Sequence, residues 1–269
     1  MHILQRTQMI KSLLFIFLLT STLLARDTRL DNYTDAKEWE RKATSEGYAA
    51  FNLGVVYHKN IQDFEKAIYW YEKAYGMSDK DSSVSAASNL GYLYDDLNQY
   101  TKAIEWYKRA IVQGDKDAAS NLGLLYKEKL QNYDLAIAYY TKAYEMGSME
   151  GANNLGYLHE HTFNNLKQAE IWYKKAVAKN NQQAIGNLAK FYYKQNQKQL
   201  GTAYLISLIN NGYSKQKVFD YLKTRWSLSD EEIKKAYQLQ KTLDIPKHYY
   251  DAELEENPTS KTTNPRGQR

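Results

Sequence analysis

Residues 86–126 read AASNLGYLYDDLNQYTKAIEWYKRAIVQGDKDAASNLGLLY, and the stretch closes on the motif with which it opens. Asn89-Leu90-Gly91 returns as Asn121-Leu122-Gly123, 32 residues later. Self-similarity at a fixed period of this size is the signature of a repeat array. Working outward, Asn52-Leu53-Gly54 lies 37 residues upstream of Asn89, and Asn154-Leu155-Gly156 lies 33 residues downstream of Asn121. A degenerate copy, Asn187-Leu188-Ala189, follows after 33 more. Four residues beyond each Leu stands a Tyr (Tyr57, Tyr94, Tyr126, Tyr192), with His159 substituting once.

A second block follows each first one. It reads AIYWYEKA (67–74), AIEWYKRA (103–110), AIAYYTKA (136–143) and AEIWYKKA (169–176). A weaker copy spans Gly201 to Leu208, and a half-copy, WERKA (39–43), precedes the first full unit. Leu53 and Tyr57 are four apart, and Ala67, Tyr71 and Ala74 fall at i, i+4 and i+7; both spacings put the residues on one helical face. Pro246 is the first proline, so no proline interrupts a helix upstream of it. Gly47, Gly114, Gly147 and Gly212, with Asn180 once, stand where a left-handed C-cap is needed. A glycine inside a helix costs roughly 1 kcal/mol against Ala. Gly54, Gly91, Gly123 and Gly156 in register therefore call for a close approach of the partner helix, expected here through small residues such as Ala67 and Ala74.

One such helix pair cannot bury its apolar face alone, whereas stacked pairs can. The expected fold is all-α: an α-solenoid, a right-handed superhelix of about five antiparallel helix pairs with a two-helix C-terminal cap. The domains read as a signal peptide at 1–25, a half-repeat at 26–47, five repeats at 48–213, capping helices at 214–250 and a polar, disordered tail at 251–269. Met77–Ser83 reads as an inserted polar loop. In the cap, Ser229 and Glu232 have capping-box spacing.

The leader carries Arg6 and Lys11 and no acid before the uncharged run SLLFIFLLTSTLLA (12–25). That order predicts a secretory signal with cleavage after Ala25, and hence a periplasmic or secreted protein with no membrane span once the leader is removed. The run is shorter than the roughly 20 residues a spanning helix needs. Cys is absent, which excludes disulfide scaffolds, thiolate metal sites and cysteine nucleophiles. Net charge is +5, or about +3 without Arg6 and Lys11, too little to indicate nucleic-acid binding.

The paired blocks resemble the tetratricopeptide superfamily, and the closing Gly is similar to the Sel-one-like branch of it. The resemblance covers residues 37–243. It implies a concave groove that binds peptides or protein segments, with exported relatives acting as envelope or host-contact adaptors. It also implies an alternative, because some secreted, cysteine-rich relatives have been assigned penicillin-binding or β-lactamase activity. This chain lacks their cysteines.

Candidate binding residues are Asn52, Asn89, Asn121, Asn154 and Asn187. Each precedes the core Leu by one residue and so points about 100° away from the Leu–Tyr face. In the related superfamily that rotation places an Asn in the groove. A carboxamide matches a peptide group with an acceptor and two donors, so a row of them suits an extended chain. The other role open to each Asn is a bond to a neighbouring helix that sets the stacking. Tyr92 and Tyr157, two residues past the Leu, are groove candidates as well. The Trp70, Trp106, Trp172 and Tyr139 stripe, with the Tyr71, Tyr107, Tyr140 and Tyr173 stripe, reads as packing. No cofactor, metal or catalytic set is expected. His159 and His161 are two apart and share no helical face, and Ser214-x-x-Lys217 has no accompanying SDN or KTG.

Overall fold

The computed structural model describes residues 28–255. The leader, with its expected cleavage site, and residues 256–269 of the tail lie outside the described residues. The described chain is helical throughout, and it divides between Leu125 and Tyr126 into two compact units.

In the first unit, a 3-10 turn at Thr28–Asn32 leads to α1 (Ala36–Lys42). Next come α2 (Gly47–Val55), which runs on into a π-helical turn (Val56–Ile61), and α3 (Phe64–Tyr75). α4 (Lys80–Asp96), α5 (Tyr100–Val112) and the start of α6 (Lys116–Glu128) complete it. Each helix packs on its neighbours in sequence, α2 on α3, α3 on α4 and α4 on α5, which is repeat packing of adjacent pairs.

The second unit holds the end of α6, then α7 (Tyr133–Glu145), α8 (Met149–His161), α9 (Leu166–Val177), α10 (Gln182–Lys194) and α11 (Lys198–Ser207). A 3-10 turn (Leu208–Asn211) follows, then α12 (Lys215–Arg225) and α13 (Asp230–Gln240). α7 packs on α8, α8 on α9, α9 on α10 and α10 on α11, and α12 and α13 close the stack against α11. The expected capping box is present: the Ser229 amide donates to Glu232 Oε2 at 2.8 Å, and the Glu232 amide to Ser229 Oγ at 3.3 Å. The expected solenoid of helix pairs is thus the architecture found.

The helix ends explain the period. Gly114, Gly147 and Gly212 have φ of 102°, 90° and 90°, and Asn180 has 63°, as a left-handed cap requires. Inside each hairpin a second left-handed residue recurs that the sequence pattern does not flag: Gln62, Asn98, Gln131, Asn164 and Asn196. Next to three of them sit the N-caps Asp63, Asn132 and Asn165, whose side chains accept the amides of Lys66, Leu135 and Gln168.

Three expectations are corrected. The in-register glycines do face a close approach, but of a ring. A Cβ on Gly54, Gly91 or Gly156 would lie 2.5 Å from Cδ1 of Tyr71, Tyr107 or Tyr173 respectively. The alanines are buried too, yet the tyrosines of the second helix are what need the missing side chain. Gly47 is not a C-cap; it starts α2, where a Cβ would come within 3.1 Å of Asp79 Cβ. The insertion before the second repeat is largely helical. α4 has 17 residues where α8 and α10 have 13, and Ser82 and Ser83 are buried. Four extra residues add about one turn, so the helix faces keep their register.

The chain beyond Pro246 is also more ordered than its composition suggests as far as residue 255. Gln240, fully buried, donates to the Tyr249 carbonyl at 2.7 Å and accepts its amide at 3.1 Å. Asp251 is buried and binds Lys215 at 2.7 Å and the Tyr249 hydroxyl at 2.9 Å. These bonds tie residues 248–255 across α12 and α13.

Candidate functional site

The five repeated asparagines sit on the first helix of each pair, and all are half-buried. Their surroundings differ. In the first unit, Asn89 Nδ2 donates to the Ser85 carbonyl at 2.9 Å, and its Oδ1 accepts from the Tyr71 hydroxyl at 3.5 Å. One N–H and one lone pair remain unused. Asn52 Nδ2 is buried without a hydrogen bond. Asn89 and Asn121 come together with Tyr92, Ser88 and Lys59 around a shallow depression of about 240 Å³. Tyr92 is 42% exposed, and the Lys59 ammonium lies 4.1 Å from its ring centre. The carboxylate of Asp96 holds the Tyr92 hydroxyl above its ordinary range.

The π-helical turn carries His58 beneath this depression. His58 is buried against Phe64, Tyr71 and Tyr92, with Nδ1 3.4 Å from the Tyr71 hydroxyl. Burial, helped by the neighbouring Lys59 cation, depresses its pKa to about 4. It is a neutral ring in the core at neutral pH.

In the second unit, Asn187 Nδ2 donates to Asn153 Oδ1 at 3.0 Å, joining α10 to α8. Both line a larger cavity of about 530 Å³. Its polar lining includes Gln182, Gln183 and Lys190 of α10, and its apolar lining includes Leu205, Leu208 and Val218. Tyr213, Lys217 and Tyr221 form the rim contributed by the cap. Asn154 is not among the lining residues. The residue before each repeated Asn varies: Phe51, Ser88, Ser120, Asn153 and Gly186. At Gly186 an added Cβ would meet nothing within 4 Å, so the smallest member of that series opens the cavity. The residue before the repeated Asn is thus the position in the sequence that marks this cavity.

Tyr157, 40% exposed, lies between Lys127, 4.5 Å from the ring centre, and His161, stacked at 4.0 Å. His161 Nε2 is 3.6 Å from Glu160, which accepts from the Tyr173 hydroxyl at 2.9 Å and the Lys194 ammonium at 2.8 Å. His159 instead packs on Phe163. The two histidines face different neighbours, and among the described residues no group of three acidic or imidazole side chains is placed to hold a metal. Trp70 and Trp106 are buried, as the packing reading expects. Ser214 Oγ accepts the Lys217 amide at 3.4 Å and so is the N-cap of α12. No helix among the described residues is long and apolar enough to cross a membrane.

A Sel1 repeat model matches residues 47–79, and tetratricopeptide repeat models match 84–111 and 124–184. No curated protein matches the chain in sequence. A Sel1 repeat protein from Oxalobacter formigenes is 27% identical, with 60% of this chain covering 70% of it at a TM-score of 0.47. The antigen c5321 of uropathogenic Escherichia coli, which has the Sel1-like repeat (SLR) fold, is 22% identical at a TM-score of 0.57. There the match takes in 84% of this chain and 52% of the antigen, so the chain spans about half the length of that protein. The matched segments fall on the stacked helix pairs, and the chain is a helical repeat protein with one segment similar to Sel1 repeats and two similar to tetratricopeptide repeats.

Proposed function

We propose that this protein is an exported, non-catalytic scaffold that holds extended peptide segments of partner proteins on the amide-bearing faces of its first helices. A repeat fold of this class points to protein partners in general. The finer reading rests on one observation. Asn89 and Asn121, a repeat apart in sequence, converge with the exposed Tyr92 on one depression, and Asn89 keeps an unused donor and acceptor there. Those are the groups that a peptide unit pairs with. The leader sequence supports the export part of the reading, with partners in the envelope or outside the cell.

The test is the triple variant Asn89→Ala, Asn121→Ala, Asn154→Ala, assayed for melting temperature and for affinity toward segments cross-linked to the parent in envelope extract. Each lost hydrogen bond removes roughly 0.5–1.5 kcal/mol, so binding should weaken on the order of tenfold or more. Melting should change little. A large fall in melting temperature with binding lost only on unfolding would assign the asparagines to stacking instead. Export is checked by N-terminal sequencing of the periplasmic or secreted form, with Arg26 expected first.

A further inference from the structure

The cavity of the second unit differs from the depression of the first in being partly apolar and in carrying two lysines rather than one. Leu205, Leu208 and Val218 supply apolar lining, and Lys190 and Lys217 stand among the lining residues without a carboxylate to match them. Neither lysine makes an ion pair within the described residues. Lys215, two residues before Lys217 and therefore on another face of α12, is the contrast: it is held by Asp251 at 2.7 Å and Glu253 at 2.8 Å. The chain thus supplies acids to the outer lysine and leaves the cavity lysines open. The Asn187–Asn153 bond uses one Nδ2 hydrogen of Asn187 and one lone pair of Asn153, leaving Asn153 Nδ2 and Asn187 Oδ1 for a visiting backbone amide.

We infer that this cavity is a specificity pocket for an acidic-apolar peptide segment. An apolar side chain rests on Leu205, Leu208 and Val218, the neighbouring carboxylate reaches Lys190 and Lys217, and the peptide unit between them meets the asparagine pair. A cavity of about 530 Å³ has room for two such side chains. The inference deepens the peptide-scaffold reading and rests on it. It assigns the choice of partner to the C-terminal end of the array, where α12 closes the stack.

The experiment is selection of a display library on the full chain. Seven randomised residues are embedded in a longer loop, so that no free terminus supplies a carboxylate. Enriched segments should carry Leu, Ile, Val or Phe within two positions of Asp or Glu. Their affinity should fall on the order of tenfold in Lys190→Gln with Lys217→Gln, and should weaken as salt rises. Gly186→Leu, which fills the cavity from a position with open space, should abolish their binding while leaving melting temperature at or above that of the parent. Segments enriched without acidic residues, or indifferent to both the lysine pair and Gly186→Leu, overturn the pocket. If those same segments respond to Asn89→Ala and Asn121→Ala, the scaffold reading survives without it. A selection that enriches nothing overturns both.

Discussion

Replacing Gly91 by Ala should destabilise the protein, although the substitution favours the helix in isolation. In a helix interior, Ala is preferred over Gly by roughly 1 kcal/mol. Here the new Cβ would lie 2.5 Å from Cδ1, 2.7 Å from Cε1 and 2.8 Å from Cγ of Tyr107. Carbon atoms rest at about 3.5–4.0 Å, so the ring must retreat by roughly 1 Å. Tyr107 is 1% exposed and sits in a close-packed interior, so the retreat displaces its neighbours. Overpacking of this kind costs about 1–3 kcal/mol; set against a helix gain of about 1 the net is about 0–2, and the near-complete burial of Tyr107 puts the expected loss in the upper half, about 1–2 kcal/mol. Thermal and urea unfolding followed by far-ultraviolet circular dichroism would register that as a drop of roughly 2–8 °C in Tm. Gly186→Ala is the internal control. It is also helical but faces open space, so it should raise stability by about 0.5–1 kcal/mol. In a Tyr107→Leu background the cost of Gly91→Ala should shrink, because the clashing ring atoms are gone. If Gly91→Ala proves as stable as the parent, or equally costly with and without the Tyr107 ring, the ring-on-glycine account of the repeat is wrong.

His58 sets an acid limit on the first unit. Its folded pKa of about 4 lies below the ordinary 6.5, so between those values the unfolded chain binds a proton that the folded one does not. Stability should therefore be full above about pH 6.5 and fall by about 1–3 kcal/mol as pH drops toward 4. His58→Phe should flatten that slope in urea titrations taken at pH 7 and pH 4.5. At the other end of the chain, Asp251→Ala strips an acceptor from Lys215, the Tyr249 hydroxyl and the Glu253 amide. A loss of about 1–3 kcal/mol is expected, with amide exchange accelerated in α12 and α13; unchanged exchange there would show that the 248–255 segment clasps nothing. Ser214→Ala should cost about 0.5–1 kcal/mol as a lost N-cap. The parent should leave nitrocefin intact, and turnover abolished by this substitution would restore the hydrolase alternative.

The fold was legible because the same few positions recur about every 33 residues, and recurrence identifies contacts that propensity alone leaves ambiguous. Leu53, Leu90, Leu122 and Leu155 are all fully buried, and the left-handed caps at Gly114, Gly147 and Gly212 lie where the period requires them. The glycines inside the helices announced a steric demand without naming its source. Ala67 and Tyr71 share a face of the second helix, and only the rotation of that helix against its partner decided that the ring, not the methyl, meets Gly54. The candidate site was legible in part. Asn89, Asn121 and Tyr92 do share a depression, whereas in the second unit Asn153 took the place expected for Asn154.

Of the cavity around Asn187 only the Gly186 position was marked in the sequence; Lys190 and Lys217 are plain there, but nothing in the repeat brings them together. Periodicity reports interactions that each repeat makes with the next. That cavity forms where the periodicity stops, between the last repeat and a helix belonging to none. Its walls meet through contacts that occur once in the molecule, so only the packing of α12 on the finished stack could bring them together.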